Sequence, residues 1–280
     1  MNIESMRAFL EITATGSFQQ AAERLHITQS AISARIKGLE QHLNRELFRR
    51  KRAGIELTDA GSRFFRHAQI CVQSWERAQQ EIALPAEIDN QFSLGLQINL
   101  WQRLVLPWST WMDKNAPQIA TRIVADYSEK LISQVRDGIL DMAVVYAARP
   151  NASLIIETFD LQELILVSTT PRSTNIGWTP GYVFVDWSEG FQDEHSNAFP
   201  ESPLPRLSVG SSSIALAHIL RHGGSAYLSG NDVDKHLAEK KLFRVENAPT
   251  FKRSSYLVYL RENNIQPSID ISSQGLRACL

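Results

Sequence analysis

The residues best suited to a definite chemistry lie in the first sixty positions, and that chemistry is contact with base edges and phosphates rather than bond breaking. Ser30, Ser33, Ala34 and Lys37, flanked by Gln29 and Arg35, fall at spacings that gather them on one side of a helix. Short hydroxyls and amides reach base edges in a major groove, an alanine methyl can meet a thymine methyl, and lysine neutralises phosphate. A little further on, Arg49-Arg50-Lys51-Arg52 sets four cations in a row, which suits a phosphate backbone when carried on a tight turn. Enzyme layouts are absent: there is no Gly-rich phosphate loop ending in Lys-Ser/Thr, no nucleophile elbow and no His-Glu-x-x-His. His218 and His222 stand four apart but lack a nearby third ligand type, so neither a metal nor a cofactor is expected.

The elements that must hold these residues are legible around them. Phe18, Ala21, Ala22 and Leu25 form the apolar stripe of a short helix, with Ser17 and Gln20 spaced as a capping box. After the break His26-Ile27-Thr28, a second stripe runs Ile32, Ile36, Leu39, Leu43, with Thr28 placed to cap it. Packing the two stripes together turns Ser30, Ser33, Ala34, Lys37 and Gln41 outward, a small polar face free of acids. Leu47-Phe48, the cationic run with Ala53-Gly54, and Ile55-Glu56-Leu57 read as strand, turn and returning strand. The expectation for residues 1–58 is an α-rich winged helix-turn-helix.

This stretch resembles the DNA-binding domain of LysR-type transcriptional regulators. The resemblance rests on Phe9-Leu10, Gly16-Ser17-Phe18, Ala21-Ala22, Leu25, Thr28 through Ser33, Ile36, Leu39-Glu40, Leu43, Leu47-Phe48, Leu57-Thr58 and Gly61. One departure touches the contact face: many members carry Arg directly after the serine that is Ser33 here, whereas this chain has Ala34 and then Arg35. The resemblance implies double-stranded DNA with an interrupted palindromic operator as partner, a self-associated dimer or tetramer, and Arg49, Arg50, Lys51 and Arg52 along phosphates. RNA polymerase is a further candidate partner. The alternative is an architectural DNA-binding protein without small-molecule control.

From Thr58 to Leu84 there is no proline and one early glycine, and Phe64, Ala68, Cys71, Trp75, Ala78 and Ile82 alternate spacings of four and three. That is a heptad seam, expected to pair with a second subunit along a linker helix within residues 59–87.

Residues 88–280 alternate short apolar strands with amphipathic helices, which argues for an α/β domain with a mainly parallel sheet. Strands are expected at Phe92–Ile98, Ile119–Ala125, Met142–Tyr146, Glu163–Ser168, Tyr182–Val185, Ser225–Ser229 and Tyr256–Leu260. Helices are expected around Leu104 to Met112, over Glu129–Arg136 and over Ser212–His222. Leu131 to Val145 resembles the effector-binding domain of the same family, more loosely than the head does. That resemblance implies the two-lobe fold of periplasmic binding proteins, with lobe one at about 91–163 and 264–280 and lobe two at about 164–263. Candidate contacts for a small effector of unknown identity are Asn99, Leu100, Trp101, Tyr127, Ser128, Tyr146, Ser168, Thr169 and Ser211, Ser212, Ser213, at strand ends and at a helix N-terminus. Asn99-Leu100-Trp101 stands where small hydroxyl residues are frequent in the family, so an aromatic-walled, partly filled cleft is expected.

At 280 residues, net charge −1 and 43% hydrophobic content, the chain is balanced rather than basic, so any affinity for DNA must come from local charge. No apolar run approaches the ~20 residues of a membrane span, and Met1-Asn2-Ile3-Glu4 lacks a signal-peptide layout. The expected location is the cytoplasm, with the protein on the nucleoid when bound. Cys71 and Cys279 sit in no redox or metal spacing and are expected to be plain thiols. If the cationic run follows phosphates, Arg50→Ala weakens binding to all DNA sequences alike and flattens the salt dependence of log K by about 0.9. A change in sequence preference alone, seen in titrations at several salt concentrations, would overturn the phosphate assignment.

Overall fold

Capping chemistry sets the boundaries of the N-terminal helices. Asn2 accepts from the Ser5 amide at 2.9 Å to open α1 (Ile3–Thr15), and Gly16 closes it at a φ of 66°. Ser17 accepts from the Gln20 amide at 3.4 Å at the start of α2 (Phe18–Arg24). The Ser17 amide donates to Thr15 Oγ1 at 3.3 Å, so this amide is satisfied from upstream rather than by Gln20. Thr28 accepts from the Ala31 amide at 3.2 Å and opens α3 (Gln29–Leu43). The wing follows as β1 (Phe48–Lys51) and β2 (Gly54–Leu57), antiparallel, with Phe48 opposite Leu57 and Lys51 opposite Gly54. Thr58 then caps α4 (Asp59–Ile82). The computed structural model describes residues 2–51, 54–174, 181–200, 202–262 and 265–280, and the chain divides into two units between Pro85 and Ala86.

Within the first unit, Phe9 and Ile12 of α1 meet Ile32, Ile36 and Leu39 of α3 in one buried core, joined by Leu47 at the base of the wing. The same core absorbs part of the linker helix. Ala68 and Val72 are buried in it, and Phe64 and Phe65 pack on it. The expected intersubunit seam is therefore divided. Its first two members, Phe64 and Ala68, serve the head; beyond them Cys71 is exposed, Trp75 is 48% exposed and Ile82 is 86% exposed. Val72 replaces Cys71 in the buried row because a helix with 3.6 residues per turn drifts off a strict heptad unless it supercoils.

The second unit is built on one mixed sheet in the order β4-β3-β5-β11-β6-β9-β7-β8. Its first lobe carries β3 (Asn90–Gln97), α5 (Trp101–Asn115), β4 (Ile119–Asp126), α6 (Ser128–Arg136) and β5 (Met142–Val145), with β3 parallel to both β4 and β5. β6 (Leu154–Ser168) then crosses to the second lobe. That lobe holds β7 (Tyr182–Val185), α7 (Glu189–Ala198), β8 (Leu207–Val209), α8 (Ser212–His222), β9 (Ser225–Ser229), α9 (Gly230–Ala238) and the short β10 (Phe243–Arg244). β11 (Phe251–Leu260) crosses back, and α10 (Gln266–Arg277) packs against α5.

Two expectations are corrected here. Glu163–Ser168 is only the last part of a fifteen-residue crossing strand. Tyr256–Leu260 does not belong to lobe two, since Tyr256 through Tyr259 pair with Val145 through Met142 of β5; the return crossing lies near the bulge at Ser255/Tyr256 instead of near 264. One side-chain placement also differs: Leu100, expected at the cleft, is buried in the hydrophobic core.

One close approach in the head has a measurable consequence. Gly61, at the first turn of α4, lies where an added Cβ would stand 2.2 Å from the Leu47 carbonyl oxygen. Gly61→Ala is expected to lower the stability of the chain by about 1–3 kcal/mol through forced displacement of the wing base, read as a lower urea midpoint; an unchanged midpoint would contradict this packing.

Candidate nucleic-acid interface and interlobe cleft

The outward face of α3 is as its pattern requires. Gln29, Ser30, Ser33, Ala34 and Lys37 are exposed, while Ile32, Ile36 and Leu39 are buried beneath them. Arg35, expected to flank the contacts, is half-buried and turned toward α1, where it pairs with Glu4 at 3.3 Å. The wing lies beside this face. A groove of about 550 Å³ is lined by Ser17 at the cap of α2, Gln19 of α2, Gln29, Ser33, Lys37 and Glu40 of α3, and Ile55 of β2. Ser17, read only as a cap, and Gln19 were not named as contacts from the sequence, although a polar helix start beside the contact face is the signal that marks them. Glu40 Oε1 accepts from the Leu47 amide at 2.7 Å and from the Phe48 amide at 3.4 Å, fixing the wing base to α3.

The wing cations are not all free. Glu56, directly opposite Arg49 across the strands, stands 2.6 Å from Lys51 Nζ and 3.5 Å from Arg49 Nη2. The Lys51 ammonium and the Arg49 guanidinium hold the Glu56 carboxyl below its ordinary range. Arg52 lies outside the described residues, and Arg50 sits in β1 opposite Ile55.

In the second unit the C-terminal ends of the parallel strands of the two lobes confront each other. From lobe one, Asn99 is buried and reaches the start of α8. Its Oδ1 accepts from the Ser212 amide at 2.7 Å, and its Nδ2 donates to the Gly210 carbonyl at 3.3 Å. Tyr127 lies over the same place, close enough that a Cβ on Gly210 would fall 2.1 Å from its Oη. Tyr146 is buried, donates to Gln162 Oε1 at 3.0 Å and packs against Trp187 of lobe two with ring centroids 6.0 Å apart. Ser128 Oγ accepts from the Tyr146 amide at 3.2 Å. Around the crossing strand, Arg103 of α5 pairs with Asp160 at 2.7 Å, and burial raises the Asp232 carboxyl to about 6, partly offset by Arg103.

The predicted cleft residues therefore separate. Asn99, Tyr127, Ser128, Tyr146 and Ser211 to Ser213 gather where the lobes meet, with Ser211 Oγ and Ser213 Oγ 2.8 Å apart. Ser168 and Thr169 do not. They lie at the far end of lobe two, where Thr169 Oγ1 accepts from the Gly224 amide at 3.0 Å before β9 begins. Leu100 is a core residue, and Trp101 is 45% exposed at the start of α5. Sequence reasoning missed Gln162, Trp187, Arg103, Asp160 and Asp232, because a crossing strand, two helices from different lobes and the segment after β7 bring them together. His218 and His222 have ring centroids 4.8 Å apart, but among the described residues no group of three or more His, Cys, Asp or Glu could hold a metal ion. Among the described residues no helix is long and apolar enough to cross a membrane.

Residues 3–62 match the family described as "Bacterial regulatory helix-turn-helix protein, lysR family". The HTH-type transcriptional regulator HdfR of Escherichia coli O17:K52:H18 is 28% identical over 271 residues, covering 94% of each chain. Among solved structures, CbnR, a LysR family transcriptional regulator, superposes with a TM-score of 0.70 at 16% identity, covering 100% of this chain and 99% of that one. Vibrio fischeri DarR in complex with DNA superposes with a TM-score of 0.60 at 20% identity, covering 100% of this chain and 99% of that one.

The contact between Asn99 and α8 carries its own test. Asn99→Ala leaves the buried Ser212 amide without its acceptor, which is expected to cost about 1–3 kcal/mol and to speed hydrogen exchange at that amide at least about tenfold. Unchanged exchange at Ser212 would show that the side chain does not bridge the lobes in solution.

Proposed function

We propose that the chain is a DNA-binding transcriptional regulator of the LysR type that reads its operator through the outward face of α3, with the wing seated on the flanking phosphates. The observation that carries this is the exposed, acid-free row Ser30, Ser33, Ala34 and Lys37 held over a fully buried apolar stripe. A helix fixed in this way can enter a major groove and offer hydroxyls, a methyl and one ammonium to base edges. Gln29 lies at the N-terminal end of the row, and Ser17 and Gln19 border the same groove. Arg35 acts through Glu4 on the seating of α3 rather than on a base.

Two subunits are joined through the distal half of α4, where Trp75 and Ile82 stay exposed after the head has taken its share of the helix. Pairing there would bury apolar surface worth about 1.5–3 kcal/mol for each large side chain fully covered. It would set two heads on the halves of an interrupted palindrome, with either a dimer or a pair of dimers as the working unit and RNA polymerase as a candidate further partner. A small effector acts between the lobes of the second unit, among Tyr127, Ser128, Tyr146 and the start of α8. Asn99 already occupies the Ser212 amide there, so such a ligand must either displace its carboxamide or bind beside Tyr146 and Trp187. Movement of one lobe against the other would change the angle between the paired subunits and with it the bend of the DNA.

The test is the ratio of operator affinity to bulk DNA affinity at one fixed salt concentration. The wild-type chain is expected to prefer its operator by at least about a thousandfold. Ser33→Glu, which puts an anion into the groove, is expected to reduce that ratio to near one while the fold is retained. A wild-type ratio near one, or a Ser33→Glu variant that keeps its preference, would overturn the assignment of α3 as the reading helix.

A further inference from the structure

The wing carries an acid in a place that its assigned role does not call for. Arg49 and Lys51 alternate with Arg50 along β1, so they share one face of the two-stranded ribbon. Glu56 of β2 faces Arg49 directly and reaches Lys51 diagonally, with Oε2 at 3.5 Å and 2.6 Å from the two cations. All three side chains are about half exposed, between 46% and 56%, so the pairing adds little to stability and its removal leaves the fold intact. Among the described residues, the partners of this carboxylate are the same two side chains that a phosphate would need.

We infer that Glu56 is an internal stand-in for a DNA phosphate, which holds Arg49 and Lys51 side by side in the free protein and opposes their transfer to the backbone of DNA. The inference rests on the proposed seating of the wing on phosphates. The chemistry is an exchange of ion pairs with no covalent step. A phosphate oxygen takes the place of the carboxylate on Lys51 and Arg49, and the carboxylate returns to water or remains as a repulsive charge beside the strand. In either case Glu56 subtracts from the number of counterions that docking releases, and the wing binds DNA less tightly and with a shallower salt dependence than its cations alone would give. Because this term is blind to sequence, it acts on operator and bulk DNA alike and sets how readily the protein leaves DNA of any sequence.

The experiment is a titration of the full chain with a random-sequence duplex and with an operator duplex at several salt concentrations, comparing wild type with Glu56→Gln and with Lys51→Ala/Glu56→Gln. Each unit of net phosphate neutralisation contributes about 0.9 to the slope of log K against log salt. Glu56→Gln is therefore expected to steepen the slope by about 0.9 on both duplexes and to tighten binding about fivefold to tenfold near 0.1 M salt. The double variant, which removes one liberated cation, is expected to return close to the wild-type slope. Equal or weaker binding by Glu56→Gln, or a steeper slope that persists in the double variant, would overturn the inference. Wild-type protein that binds neither duplex would instead overturn the DNA-binding assignment on which it rests.

Discussion

The head depends on the burial of Phe9. Its ring sits 5.1 Å from that of Phe48 at the start of the wing and 5.2 Å from that of Phe64 in the linker helix, and Phe18 of α2 reaches the same Phe48 at 5.9 Å. One fully buried aromatic residue on α1 thus fixes the wing and the linker helix at once, and the core around it takes in Ile32, Ile36 and Leu39 of α3. Aromatic pairs of this kind contribute about 0.5–1.5 kcal/mol each beyond their buried area. Their larger effect is geometric. With the apolar stripe of α3 pinned, the face carrying Ser30, Ser33 and Lys37 has only one way to point, and Glu40 carries that constraint into the wing through the Leu47 amide.

The second unit answers to a different constraint, the pair of long antiparallel strands β6 and β11 that belong to both lobes. Because both crossings pair side by side, with one bulge at Ser255/Tyr256, the lobes meet with strand ends opposed, and the side chains at those ends decide how the meeting is filled. In this chain Asn99 fills part of it, bonded to both Gly210 and Ser212. The helix end that would offer amides to a small anion is already supplied with an acceptor from the opposite lobe. A ligand that took the Ser212 amide would compete with this internal hydrogen bond.

What the sequence makes legible follows the range of the interactions. Ser17 and Thr28 announce helix starts because capping is settled within three residues, and the stripe Ile32, Ile36, Leu39 is a local period. The strands Tyr182–Val185 and Ser225–Ser229 and the helix Ser212–His222 are likewise bounded by their own residues and were placed to the residue. The crossing strand was not legible beyond its apolar end, since Glu157, Asp160 and Glu163 interrupt Leu154–Ser168 and only its partner strands keep it extended. β8 spans three residues and α7 is largely polar, so neither carries a period strong enough to read. The site shows the same division. Ser33 and Lys37 are readable from helical phase alone, whereas Asn99 meets Ser212 across 113 positions and Tyr146 meets Trp187 across two lobes. Ser168 and Thr169 were misplaced because a strand end faces the cleft only if the strand runs toward it, and β6 runs away.

The central claim is that α3 selects sequence, and it is tested most directly by retaining fragmented genomic DNA on the purified full-length protein at near-physiological salt and sequencing what is held. The account predicts enrichment of a few fragments that share an interrupted palindrome. Uniform retention across the genome, or no retention, would contradict it.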